Sequence, residues 1–511
     1  MTPFATSIHF SQMVQFEKRQ CVLAKSTFYL AEISMDKLVF FILCRRDFMA
    51  NFTVQDIENM IALQREYYMS GSTKTLEFRR EQLKKLKGSI QRNEKEIMNA
   101  LNQDLHKSEF EAYSTEVGIV LESIGFMLKY LEEWMHPIAV PTPIYFQPAK
   151  SMVVREPYGV SLIIGPFNYP FQLVMEPLIG AIIGGNTAIV KPSESAPHTA
   201  AVIQKIVEET FEERYVRMVE GEVEETSILI HAPFDFVFFT GSVGVGKIVA
   251  KACAERLTPH VLELGGKSPA IVDHTANIEV AVKRIVWGKF LNAGQTCVAP
   301  DYVLVHESVK VTFIRHLKKT LQKFYGSNPQ ESSDFGRIIN TKQFDRLNEL
   351  LTKEKEHLLF GGKVDRKDLY IEPTVLQDIR WDNPVMEDEI FGPILPLLVY
   401  DDLPEAIYRI KQKPKPLAAY FFSETEKAIQ YFLDELPFGG GCINDTMAHV
   451  GNTHLPFGGV GPSGIGNYHG KASFECFTHP KSILKRSSKL ANNLLYPPYK
   501  QKAKLIRTVL R

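Results

Sequence analysis

The chain is short of features that would mark several classes of protein. Cys21, Cys44, Cys253, Cys297, Cys442 and Cys476 are the only cysteines in 511 residues, too sparse for a disulfide framework. No CxxC pair offers a structural zinc site, and this usage fits a reducing compartment. None of the 14 histidines falls in HExxH or HxH spacing, so no metal centre is expected. Fifty-nine basic residues balance 59 acidic ones, leaving no global field to draw in nucleic acid or an acidic substrate. Long apolar runs are missing as well. Within the first 48 residues only the seven from Leu38 to Cys44 are consecutively apolar, and a bilayer crossing takes about 20.

That opening segment also carries Glu17, Glu32 and Asp36 and shows no small-residue cleavage site, unlike a transit peptide. A poorly ordered extension, a short buried strand, and translated sequence upstream of a start at Met49 are the three readings, and the third is the expectation. The chain as a whole has the 45% hydrophobic and 23% charged residues of a globular protein. Its length suits about three domains.

From about Val54 to Leu131 the pattern is helical, with Leu76, Leu83, Leu86, Ile90, Ile97 and Leu101 recurring at steps of seven, three and four. The prolines of HPIAVPTPIYFQPAK, residues 136–150, forbid a helix there and predict an extended, edge-like arm. After Arg155, short apolar runs such as GVSLIIG, NTAIVKP and FDFVFFTG alternate with helical stretches. Strands and helices taking turns predict a parallel sheet covered on both faces. A second alternating region starts at SPAIVD, residue 268, and reaches about residue 435. The glycine-rich stretch from residue 439 to 466 is expected to be loop.

Four stretches carry candidate chemistry. FLNAGQTCVAP puts Cys297 in a turn between an apolar segment and a proline, where a nucleophile could stand at an exposed corner. A free thiol ionises only near pH 8.5, so something must take its proton or lower its pKa. VLELGGKSP sets Glu263 in an apolar strand, where burial raises a carboxyl pKa and suits it to accept a proton near neutral pH. A strand-end Glu263 paired to Lys267 is the plainer alternative. FFTGSVGVGK, with Gly241, Gly244 and Gly246, is strand, turn and helix start. Its bare N–H groups would suit a phosphate, although it is neither GxGxxG nor a Walker A loop, and a tight strand-to-helix turn with no ligand would read the same. GPFNYPFQL offers Asn168, either a turn residue or a donor for a tetrahedral oxyanion.

FNYP, KPSE, FTGS, ELGGKSP, GQTC, EDEIFGP and LPFGGVGPSGIG follow one another in the order found in the aldehyde dehydrogenase superfamily, which residues 54–500 resemble. GQTCVAPDYVLV, YHGKASFECFTHPKS and YPPY look like its class 3, or fatty-aldehyde, branch. The resemblance implies an α/β fold with a Rossmann-like NAD(P)-binding domain over 49–135 and 155–262 and an α/β catalytic domain over 263–435. A small β bridging element for oligomerisation would take 136–154 and 436–485, leaving residues 486–511 as a tail. It further implies Cys297 as nucleophile, Glu263 as general base, and Asn168 with the Cys297 N–H as oxyanion hole. Lys191 and Glu194 would meet the adenosine ribose, Gly241 and Ser242 the pyrophosphate, and Glu389 and Phe391 the nicotinamide ribose. Glu194 suggests NAD, and the branch's frequent use of the 2′-phosphate leaves NADP open.

The expected activity is therefore oxidation of aldehydes, medium- or long-chain aliphatic or aromatic, to carboxylic acids through a thiohemiacetal and a thioester. A cytoplasmic homodimer is expected. Val243 stands where the family often has a small or polar residue, and is expected to face solvent. In the terminal KQKAKLIRTVLR, Leu505, Ile506, Val509 and Leu510 suit either a short helix against a partner subunit or weak contact with anionic lipid. The rival readings are a thiol esterase or acyltransferase, for which Glu263 as base favours water over coenzyme A as acceptor, and a non-catalytic nucleotide-binding protein on the same fold, against which the presence of both Cys297 and Glu263 speaks.

Overall fold

The computed structural model describes residues 52–489, 496–500 and 502–510. The readings of residues 1–48, including the start at Met49, lie outside the described residues. The helical region begins with Val54–Met69 and Leu76–Leu105, each started by a threonine cap, Thr53 and Thr75, whose side-chain oxygen accepts an orphan N–H. After a left-handed His106 the chain runs through Glu109–Ala112, a π-turn at Tyr113–Val117, and the helix Gly118–Met135. The proline-rich arm is extended, with β1 (Ile138–Val140) and β2 (Ala149–Pro157) around one 3-10 turn.

The strands that follow are β3 (Val160–Ile164), β4 (Thr187–Lys191), β5 (Val216–Met218), β6 (Phe236–Thr240) and β7 (His260–Glu263). They pair in parallel in the order β7-β6-β3-β4-β5. Their apolar runs read as continuous because both faces are covered. Ile163, Val190, Phe238 and Val261 enter one core, over which the helices Gln172–Gly184 and Pro197–Thr210 lie. Their neighbours Leu162, Ile189, Val237 and Leu262 enter a second core with Ile57, Ile61 and Val249. The connections wind to opposite sides of β3, so a crevice opens beyond the carboxyl ends of β3 and β6, where open α/β sheets take ligands.

The chain then builds a second sheet. It runs through β8 (Pro269–Val272), β9 (Tyr302–His306), β10 (Leu358–Phe360), the hairpin β11 (Val364–Asp365) and β12 (Tyr370–Ile371), β13 (Thr374–Leu376), β14 (Ile394–Tyr400) and β15 (Ala418–Phe422). The glycine-rich stretch expected to be loop contributes two short strands, β16 (Gly440–Ile443) and β17 (Gly464–Ile465). β16 completes the seven-stranded order β10-β13-β14-β9-β8-β15-β16 and β17 closes the outer edge of β7. Glycine is required where β16 lies: a Cβ on Gly441 would collide with the Ala419 carbonyl of β15. Of residues 436–485, expected as bridging element, only β18 (Thr478–Arg486) joins β1 and β2 in a separate three-stranded sheet. Of the rest, β16 and β17 join the two large sheets, and the helix Gly470–Cys476 packs on the helices Gln172–Gly184 and Gly118–Met135. No helix among the described residues is long and apolar enough to cross a membrane. Near the end of the chain Lys502–Val509 forms a helix.

Candidate active site

The carboxyl edge of the first sheet faces the amino edge of the second, and the segments that join strands there carry the candidate residues. Cys297 lies between the helix Ile278–Phe290 and β9. Its turn is set by three successive left-handed residues, Asn292, Ala293 and Gly294, with φ of 52°, 51° and 76°. For alanine that conformation costs about 1–2 kcal/mol, which neighbouring contacts must offset. Those contacts come largely from Gln295, buried in the turn. Its Nε2 donates to the carbonyls of Asn292 (3.1 Å) and Arg337 (2.9 Å), and its Oε1 accepts from the Ile339 N–H (3.0 Å). At this corner Cys297 is half-buried. Burial still pushes its thiol well up, the carboxylates of Glu389 and Glu263 push it further, and the N–H groups of Cys297 and Val298, aimed at the sulfur, oppose them.

Asn168 belongs to the loop after β3 and is packed against this turn. Its Nδ2 donates to the Gln295 carbonyl at 3.0 Å, two residues before the sulfur. Its own carbonyl accepts from Asn292 Nδ2 at 2.7 Å, and Tyr169 Oη lies 2.7 Å from Thr296 Oγ1. One N–H of the Asn168 amide is thus committed and the other is directed by it. That is a suitable setting for a donor to an oxygen on a carbon bound to Cys297.

Glu263 ends β7, 3% exposed. Both of its oxygens are buried without a hydrogen-bond partner, and desolvation raises its carboxyl well above the ordinary value. Lys267, the alternative partner, donates instead to Asp301 and to the carbonyls of Val385 and Asp388. Asp301 in turn accepts from the Ile390 N–H at 3.0 Å. This pair fixes the loop that carries Glu389 and Phe391. Glu389 is pushed up to about 8, by burial and then by Asp301. It reaches over Gly265, where any Cβ would strike its carboxylate. Phe391, at φ 50°, sets its ring edge-on to Phe167 with centroids 5.7 Å apart.

The crevice suits a dinucleotide. Ser242 caps the helix Val243–Arg256, whose first turn follows Gly241, and no atom lies within 4 Å of the position a Cβ would take on Gly244. Backbone donors and open space at a helix start are what a pyrophosphate needs. Lys191, at the end of β4, holds Glu194 at 2.6 Å. Burial raises the Glu194 carboxyl, but the Lys191 hydrogen bond and charge prevail and hold it below its usual range. A carboxylate kept ionised there can accept from ribose hydroxyls and would repel a 2′-phosphate. Val243, expected to face solvent, is instead half-buried against the core beneath. Among the described residues no group of three or more His, Cys, Asp and Glu could hold a metal ion.

A profile of the aldehyde dehydrogenase family matches residues 48–483. The chain belongs to the aldehyde dehydrogenase family. It is 54% identical to the 4,4'-diaponeurosporen-aldehyde dehydrogenase of Staphylococcus aureus, over 89% of this chain and 99% of that protein. It is 43% identical to the dimeric NADP-preferring aldehyde dehydrogenase of Mus musculus, over 87% and 98% of the two chains. A solved structure described as the substrate-bound state of Staphylococcus aureus AldH superposes with a TM-score of 0.88, covering 89% of this chain and 99% of that one. This aldehyde dehydrogenase is an NAD(P)-dependent oxidoreductase of the class 3-like group, with an aldehyde as substrate. Sequence reading did not single out Asn292, Gln295, Tyr169 or Asp301 beside the candidate residues. Gln295 stood inside the GQTC motif itself, but its side-chain bonds reach main chain more than 40 positions away.

Proposed function

We propose that this aldehyde dehydrogenase oxidises apolar aldehydes, medium- or long-chain aliphatic or aromatic, with Cys297 as nucleophile and Glu263 as base. The observation that carries the assignment is that Asn168 Nδ2 bonds the Gln295 carbonyl two residues before Cys297, while the buried Glu263 at the end of β7 keeps both oxygens unpartnered. The Cys297 sulfur attacks the aldehyde carbon, and its proton leaves toward a base. The oxygen that becomes negative is held by the free Asn168 N–H and the Cys297 main-chain N–H. NAD or NADP, held by Lys191, Glu194, Gly241, Ser242, Glu389 and Phe391, supplies hydride acceptance when bound. Glu263 then takes a proton from a water, which attacks the thioester carbon and releases the acid and the Cys297 sulfur.

Support for apolar substrates comes from the class 3-like resemblance and from the named substrate of the staphylococcal relative. The ionised Glu194 favours NAD over NADP. A homodimer in the cytoplasm completes the reading. The mouse relative is named dimeric, and the sheet of β1, β2 and β18 exposes Ile138, Val140, Ile483 and Leu484 for a second copy to cover. NADH absorbance with hexanal, longer alkanals and benzaldehyde, each with NAD and with NADP, tests the assignment. Turnover should rise with apolar chain length, and failure with every aldehyde would refute it.

A further inference from the structure

Behind the Asn168 loop lies an ion pair that the proposed chemistry does not touch. Lys107 Nζ meets Glu116 Oε1, and neither side chain has any exposed surface. Removing two charges from water is costly, and apolar replacements of such pairs are often neutral or stabilising, so stability alone is a poor reason for this one. Its remaining bonds all go to one stretch of main chain. Lys107 Nζ donates to the Asn168 carbonyl at 3.1 Å and sits 3.9 Å over the Tyr169 ring. Glu116 Oε2 accepts from the N–H groups of Phe171 (2.9 Å) and Gln172 (3.1 Å), which open the helix Gln172–Gly184. The ammonium and carboxylate therefore grip residues 168–172 at both ends, the carboxylate acting as an anionic cap on orphan helix donors.

Glu116 reaches this position because it lies in the π-turn Tyr113–Val117, which rotates the following helix by an inserted residue. The turn closes when the Gly118 N–H donates to the Tyr113 carbonyl, and a Cβ on Gly118 would press on that oxygen.

We propose that Lys107 and Glu116 are positioning residues for aldehyde oxidation, clamping the Asn168 loop so that the Asn168 amide faces the carbonyl oxygen bound at Cys297. The inference rests on the reading of Asn168 as oxyanion donor. A donor displaced by about 1 Å can cost on the order of 100-fold in rate. Without the clamp, the Asn168 amide keeps its bond to Gln295 and its carbonyl keeps the one from Asn292 Nδ2, but the loop loses the restraint from Lys107 and the anchor at the Phe171 and Gln172 N–H groups.

The test is a cycle on the full-length enzyme, using 4-nitrophenyl acetate without NAD to read acylation of Cys297. Lys107→Met/Glu116→Gln removes both charges together and leaves neither buried alone. It should slow acylation about 10- to 100-fold, with NAD affinity and the KM for hexanal changed by less than about twofold. In an Asn168→Ala background the same pair of substitutions should cost less than about threefold, because the group it positions is gone. An equal loss in both backgrounds, or no loss in either, overturns the proposal. Asn168→Ala alone tests the underlying reading separately: acylation within about threefold of wild type would sink the oxyanion assignment and this inference with it. Should the double variant not fold, Glu116→Gln is read by the same criteria. Its amide cannot accept at both ends, so it cannot hold Lys107 and the Phe171 and Gln172 donors together.

Discussion

Gln295→Ala is the sharpest test of how the nucleophile's turn is held. The side chain is 1% exposed and makes three hydrogen bonds to main chain. After truncation the Asn292 carbonyl keeps the Gln295 N–H at 3.0 Å. The Arg337 carbonyl and the Ile339 N–H lose the Gln295 side chain inside the protein. Each such loss costs about 1–3 kcal/mol, and the emptied volume adds to it, so about 3–5 kcal/mol is expected in all. That is a large part of a typical stability of about 5–15 kcal/mol. The left-handed Asn292 and Ala293 would also relax, moving Cys297. Thermal unfolding should fall by several degrees, and acylation by 4-nitrophenyl acetate should slow by about 100-fold. A variant that keeps both the unfolding temperature and the acylation rate of wild type would refute the reasoning.

Cys297→Ala should abolish dehydrogenase activity while NAD binding, measured by fluorescence quenching, persists. Glu263→Gln should slow thioester hydrolysis more than acylation, seen as a pre-steady-state NADH burst larger relative to turnover than in wild type. Desolvation raises the Glu263 carboxyl, so wild-type hydrolysis should increase as pH climbs toward that raised value and the Gln variant should lose this dependence. The same shift has a stability consequence. A carboxyl raised in the folded state loses stability as pH climbs from its unfolded value through its folded one, and Glu263→Gln should remove that loss in melting curves. Gly265→Ala drives a methyl into the Glu389 carboxylate; the Kd for NAD should rise about tenfold or more, with the unfolding temperature little changed.

The parallel cofactor sheet was legible because its strands, buried on both faces, are unbroken apolar runs punctuated by turns. The ordered motifs made Cys297, Glu263 and Asn168 legible, and all three lie at the seam between the sheets. What the sequence hid depends on distance along the chain or on geometry finer than composition. β16 and β17 looked like loop because glycine was demanded by close strand contact rather than by a turn. The π-turn at Tyr113–Val117 has no signature in a pattern that reads as helix throughout. Lys107 and Glu116 look like surface charges on that pattern, and only the fold encloses them. Lys267, four residues after Glu263, suggested a local pair, yet its partner Asp301 is 34 positions away.

The most direct test of the central claim is to trap the covalent intermediate. Glu263→Gln enzyme, mixed with hexanal and NAD and quenched in acid, should yield a peptide containing Cys297 heavier by one hexanoyl group. Labelling at any other cysteine, or steady NADH production with Cys297 unmodified at every time point, would contradict the account.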